Sequence, residues 1–97
     1  MSAHRYHVLV LMPFARAYDG LFDFIKAAAA RADAEAQRVD KEHFEGEIMA
    51  QLVGDIESAD AIVAVLTGKN PNVYFEVGFA YALGKHLVLL TADKKLP

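Results

Sequence analysis

The sequence predicts an α/β fold, a doubly wound parallel sheet with helices on its faces, and three observations carry that reading. Four short apolar runs alternate with three longer segments of helical period. The first run, Tyr6 to Met12 (YHVLVLM), is nearly continuous in its hydrophobicity, as expected of a central strand buried on both faces. Of the 97 residues, 55% are hydrophobic, which is ample for the core of one domain and too little chain for two.

Helix 1 is expected from about Tyr18 or Asp19 to Ala32, with Leu21, Phe24, Ile25, Ala28, Ala29 and Ala32 at the i, i+3, i+4, i+7 spacing of one buried stripe. The run Ala27 to Ala30 inside it is read as helix propensity and close packing on the sheet. Ala34 to Val39 (AEAQRV) is a second strand, polar enough for a sheet edge. Helix 2 covers about Phe44 to Glu57, its apolar face formed by Phe44, Ile48, Met49, Leu52, Val53 and Ile56. Glu42, Glu45 and Glu47 lie at the positive end of its dipole. Asp60 to Leu66 (DAIVAVL) is strand 3. Helix 3 begins at Asn70-Pro71, a good N-cap followed by a residue suited to the first helical position, and Gly84 is placed to stop it. His86 to Thr91 (HLVLLT) is strand 4. Right-handed crossovers between these strands give the flavodoxin-like order 2-1-3-4. Residues 1–97 are therefore read as one domain, with room left open for a further C-terminal strand.

Composition narrows the function classes. A formal net charge of −3, with ten scattered Lys and Arg, gives no basic footprint for a nucleic-acid polymer. Without cysteine there is no disulfide framework, thiolate nucleophile or Cys-based metal site, and the compartment is read as cytoplasm. No run approaches the roughly 20 apolar residues that span a bilayer, and Val8 to Met12 is too short for a signal peptide, so no membrane partner is expected. His4, His7, His43 and His86 lack metal-ligand spacing, and no cofactor is called for. So apolar a chain is expected to cover its remaining surface by pairing with further copies of itself, as a homo-oligomer.

The segment Asn70 to Gly84 (NPNVYFEVGFAYALG) carries a single charged residue, Glu76. Burial disfavours an ionised carboxylate, so one retained on an apolar helix points to catalysis or ligand binding; the alternative is that Glu76 looks out to solvent. In an open α/β sheet, ligands bind beyond the carboxyl ends of the strands where the winding reverses, here between strands 1 and 3. The segments delivered there are Met12-Pro13-Phe14-Ala15-Arg16 and Thr67-Gly68-Lys69-Asn70-Pro71-Asn72. The second is read either as a small phosphate or sugar cradle or as a turn with an N-cap. It matches neither G-x-x-x-x-G-K-[ST] nor G-x-G-x-x-G. Phe14 either stacks on a base or plugs the core. Gly78 admits either a ligand or close helix packing, and packing is the stronger reading. Asp60 starts strand 3 at the far end of the sheet, as a cap or turn residue. Asp40 is read as a solvated loop acid in preference to a ribose ligand.

Strand 1 with Met12-Pro13-Phe14, Ser58 to Val63 leading into Thr67-Gly68-Lys69-Asn70-Pro71-Asn72-Val73-Tyr74-Phe75-Glu76-Val77-Gly78, and Ala80 to Lys85 together resemble the nucleoside 2-deoxyribosyltransferase-like superfamily. The most similar branch is its bacterial group of TIR-like nucleotide-binding domains. The resemblance implies a nucleoside or nucleotide ligand and cleavage of its N-glycosidic bond by double displacement, with Glu76 as nucleophile. It places substrate-binding residues at Met12, Pro13, Phe14, Arg16, Thr67, Gly68, Lys69, Asn70, Asn72 and Gly78. Relatives carry an aspartate at the position of Leu66, and the transferases another at that of Asn70; both carboxylates are replaced here. Tyr18, Tyr74 and Tyr81 are candidate phenols to assist the leaving base, or else core aromatics. A nucleotide-sensing module without turnover is the alternative function.

Overall fold

The central apolar runs become strands because their neighbours can cover them on two sides. The computed structural model describes residues 6–13, 15–38 and 45–93, the side chains of 45–49 aside. Four strands, β1 (Tyr6–Leu11), β2 (Ala34–Arg38), β3 (Ala61–Val65) and β4 (Leu87–Leu90), form one parallel sheet in the order β2-β1-β3-β4. Three α-helices connect them among the described residues: α1 (Asp19–Arg31), α2 (Glu45–Ser58) and α3 (Pro71–Ala82). A 3-10 turn at Arg16–Tyr18 precedes α1 and has no counterpart in the periodicity. The fold is the expected flavodoxin-like one. Val39, Phe44, Asp40, His4 and His43 lie outside the described residues.

Alternation along β1 divides the core in two. Leu9 and Leu11 join Ile62 and Ala64 of β3, Leu52 and Ile56 of α2, and Val73 and Ala80 of α3 on one face. Val10 and Met12 join Ala36, Val65 and Ile25 of α1 on the other. The four residues Leu9 to Met12 are each 1% or 2% exposed, so the near-continuous hydrophobicity of this strand is consumed on both sides.

Helix α1 corrects the expected stripe. Ile25 is buried and Leu21, Phe22 and Ala29 are half-buried, but Phe24 is 70% exposed and Ala28 and Ala32 are exposed as well. The alanine run packs on the sheet only through Ala29, and Phe24, Ala27, Ala28 and Arg31 line a surface depression of about 300 Å³. Phe22 and Phe24 lie on opposite flanks of the apolar arc of α1, and a tertiary contact distinguishes them. The Arg38 guanidinium lies 4.8 Å from the centre of the Phe22 ring while its Nη2 donates to Asp19 Oδ1 at 3.1 Å, which draws Phe22 inward.

The amino ends of the strands are tied together. The His7 amide donates to Asp60 Oδ2 at 2.7 Å and the Asp60 amide donates to His7 O at 2.8 Å, so Asp60 is a structural residue at the end expected for it. α3 stops in a Schellman motif: Gly84 adopts φ +73°, its amide donates to Tyr81 O, and the Lys85 amide donates to Ala80 O. The Lys85 ammonium then donates to the carbonyls of Glu57 at 2.6 Å and Ala59 at 3.1 Å, satisfying the C-terminal end of α2. At the other edge of the sheet from β2, Val88, Leu89 and Leu90 of β4 are 42%, 53% and 39% exposed.

This packing gives a contrast that a denaturation series can check. Ile62→Ala, at a fully buried position, is expected to lower stability by about 2–5 kcal/mol in urea unfolding, whereas Phe24→Ala is expected to change it by no more than about 0.5 kcal/mol.

Candidate active site

The winding reverses between β1 and β3, and α3 packs on both strands. In an open α/β sheet that reversal is where a ligand crevice opens beyond the carboxyl ends of the strands, here flanked by the β1 exit and the segment joining β3 to α3.

The β3 exit is a tight turn. The Lys69 amide donates to Leu66 O at 3.0 Å and Gly68 has φ +83°, the features of a type II turn with glycine at its third position. Lys69 continues in the left-handed region at φ +53°. Asn70 then caps α3: its side chain accepts from the amides of Asn72 at 2.8 Å and Val73 at 3.2 Å, and Pro71 follows at the first helical position.

Three tethers from distant parts of the chain hold this turn. The Tyr18 hydroxyl donates to Thr67 O at 3.2 Å. The Ala92 amide donates to Thr67 Oγ1 at 2.9 Å. The Gly68 amide donates to the Asp93 carboxylate, 3.1 Å from Oδ2 and 3.4 Å from Oδ1. Gly68 is required twice, by its positive φ and because a Cβ there would stand 2.9 Å from Tyr18 Oη.

Glu76 is 3% exposed, the only polar or charged side chain buried among those described. It lies between Val73 and Ala80 on the inward stripe of α3, about 9 Å along the axis from Asn70. It does not look out to solvent. The sheet-facing surface of α3 thus carries a carboxylate over the point where the winding reverses.

The remaining expected residues divide. Met12 and Pro13 are buried at the β1 exit and Arg16 is exposed beside it, while Phe14 lies outside the described residues. Thr67, Gly68, Lys69, Asn70 and Asn72 are brought together in the turn and cap just described. Gly78 is exposed, and a Cβ added to it would meet nothing within 4 Å, so the close-packing role expected for it is not what the structure shows. Two residues beyond Glu76, it lies about 200° round the helix. Asp93 is not legible as a site residue from its own segment. Its placement comes from the parallel register, in which Val65 pairs with Leu90 and Gly68 therefore draws level with Asp93.

A flavodoxin-like domain holding a buried carboxylate against its switch point is the class of protein that fold and site define. The family is shown by the sequence as a whole: the nucleoside 2-deoxyribosyltransferase family model matches residues 2–96, and the chain belongs to that family. Among solved structures, the chain is similar to a 2-deoxyribosyltransferase from the psychrotolerant bacterium Bacillus psychrosaccharolyticus. The TM-score is 0.77 at 14% identity, covering 94% of this chain and 76% of the other, a likeness of fold. No curated protein sequence matches the chain. No helix among the described residues is long and apolar enough to cross a membrane.

The turn makes its own prediction. Gly68→Ala is expected to destabilise the protein by more than about 1 kcal/mol through backbone strain and the contact with Tyr18. In a double-mutant thermal-melt series, adding Tyr18→Phe should recover the steric part and leave the backbone part.

Proposed function

We propose that this domain acts on the N-glycosidic bond of a nucleoside or nucleotide, with the Glu76 carboxylate as nucleophile. The observation that carries the reading is the burial of Glu76 on the sheet-facing stripe of α3, at the switch point, in a chain of the nucleoside 2-deoxyribosyltransferase family. A carboxylate kept in a stripe otherwise made of Val73, Val77 and Ala80 opposes packing, and a chemical role accounts for it.

The reaction follows from a carboxylate meeting an oxocarbenium-like centre. A Glu76 oxygen bonds to the anomeric carbon as the carbon–nitrogen bond breaks, and the base departs with the bonding electrons and takes up a proton. The glycosyl ester is then opened by a second base or by water, which restores the carboxylate and retains configuration. Exclusion of bulk water by the surrounding apolar side chains strengthens the attraction between the carboxylate and the developing cation.

Protonation of the leaving base is the less provided-for half of the reaction. Leu66 and Asn70 hold the positions of the two assisting carboxylates, and Asn70 spends its side chain on the helix cap. Of the three candidate phenols, Tyr18 already donates to Thr67 O and Tyr81 is 77% exposed. The Tyr74 hydroxyl is buried with no hydrogen-bond partner among the described residues, but Tyr74 stands two residues from Glu76 and so on another side of the helix. General acid help is worth roughly 10²–10⁴-fold, so turnover is expected to be slow and to favour 2-deoxyribosides, whose glycosidic bond breaks most readily. The same two replacements favour, as a second reading, a pocket that binds its ligand without turning it over.

Incubation with a panel of nucleosides, nucleotides and NAD, followed by chromatography for free base, tests the assignment. Base release is expected from at least one 2-deoxyriboside and should fall by roughly 10³-fold or more in Glu76→Gln. Release that survives this substitution would exclude Glu76 as nucleophile, and ligand-induced thermal stabilisation without release would move the function to sensing.

A further inference from the structure

The segment between β3 and α3 has the outline of an anion cradle, yet most of the backbone donors along it and the first turn of α3 are already in use. The Gly68 amide is given to Asp93, the Lys69 amide to Leu66 O, the Asn72 and Val73 amides to the Asn70 side chain, and the Tyr74 amide to Asn70 O; Pro71 has none to give. The acceptor on Gly68 is the decisive one. It is itself a carboxylate, half-buried, from the segment that follows β4, and it takes the turn amide that an anionic ligand at the β3 exit would use.

We propose that Asp93 is a specificity-determining residue of the crevice: its carboxylate occupies the Gly68 amide, repels a phosphate from the β3 exit, and so selects an uncharged nucleoside over its 5′-phosphate. The inference rests on the crevice being the sugar site described above. Lys69 is the nearest opposite charge in the turn, but its side chain is exposed and its ammonium is solvated, so it offsets the Asp93 charge only weakly. Asp93 also fixes the conformation of the turn, together with Thr67 and Tyr18, so charge and tether must be separated experimentally.

Asp93→Asn separates them, because the side-chain carbonyl of asparagine can still accept from Gly68 while the charge is gone. The probes are thymidine and deoxyadenosine, each paired with its 5′-monophosphate. They are compared by base release in the wild-type chain and the variant, and by calorimetric binding to the same proteins in the Glu76→Gln background. The wild-type chain is expected to prefer the nucleoside by at least about fivefold in kcat/KM and in affinity, like charges several ångströms apart being worth that much near a surface. In Asp93→Asn the preference should narrow, through KM for the monophosphate, and the difference between wild type and variant should shrink as salt is raised towards 1 M, which a purely structural role of Asp93 would not produce. Equal or better use of the monophosphate by the wild-type chain, or an unchanged ratio in a variant that melts at the wild-type temperature, overturns the inference and leaves the glycosidic reading standing. Failure of every probe both to bind and to react overturns that reading and the inference with it.

Discussion

The burial of β1 on both faces is the constraint from which the rest of this molecule follows. A strand whose Leu9, Val10, Leu11 and Met12 are all withdrawn from water needs a strand on each side and helices above and below. Each fully buried side chain of this kind contributes about 1.5–3 kcal/mol, so no arrangement that exposes the strand competes. Once β2 and β3 flank it, the chain winds outward in two directions and the crevice appears without further instruction. α3, lying over both β1 and β3, must turn Val73, Glu76 and Ala80 towards the sheet. The carboxylate is thus carried inward by the same helical period that buries its neighbours.

The crevice itself is built by long-range contacts. Thr67 and Gly68 are held from one side by Tyr18 and from the other by Ala92 and Asp93. A turn with two consecutive residues at positive φ is an unfavourable local conformation unless its surroundings enforce it, and these tethers do so. Its geometry is consequently a property of the folded sheet and absent from the isolated segment.

What the sequence makes legible tracks how local the deciding physics is. The Asn70-Pro71 start of α3 and its stop at Gly84 are decided by patterns within a few residues and strand order by the handedness of the crossovers, and all stand as expected. The inward face of α1 is legible only in part, because Leu21, Ile25 and Ala29 of the expected stripe do face the sheet, whereas Phe22, beside Arg38 of β2, is turned inward in place of Phe24. At the site, Glu76 stands out as a lone charge in an apolar segment. Asp93 does not, because nothing near it in the chain marks it, and it meets Gly68 across 25 residues through strand register. Gly78 misleads for a related reason: a glycine on a helix announces missing volume but not which way that volume faces.

The knot at the amino ends of the strands has a consequence for how such a domain can change. His7 with Asp60, the Schellman end of α3, and Lys85 on the last carbonyls of α2 close the frame at the edge remote from the crevice. The bonds that finish the scaffold are therefore separate from those that shape the ligand's surroundings. Substitutions at the carboxyl edge can therefore change what the crevice recognises while the framework survives. Such a frame can outlast its first reaction and be adopted for another.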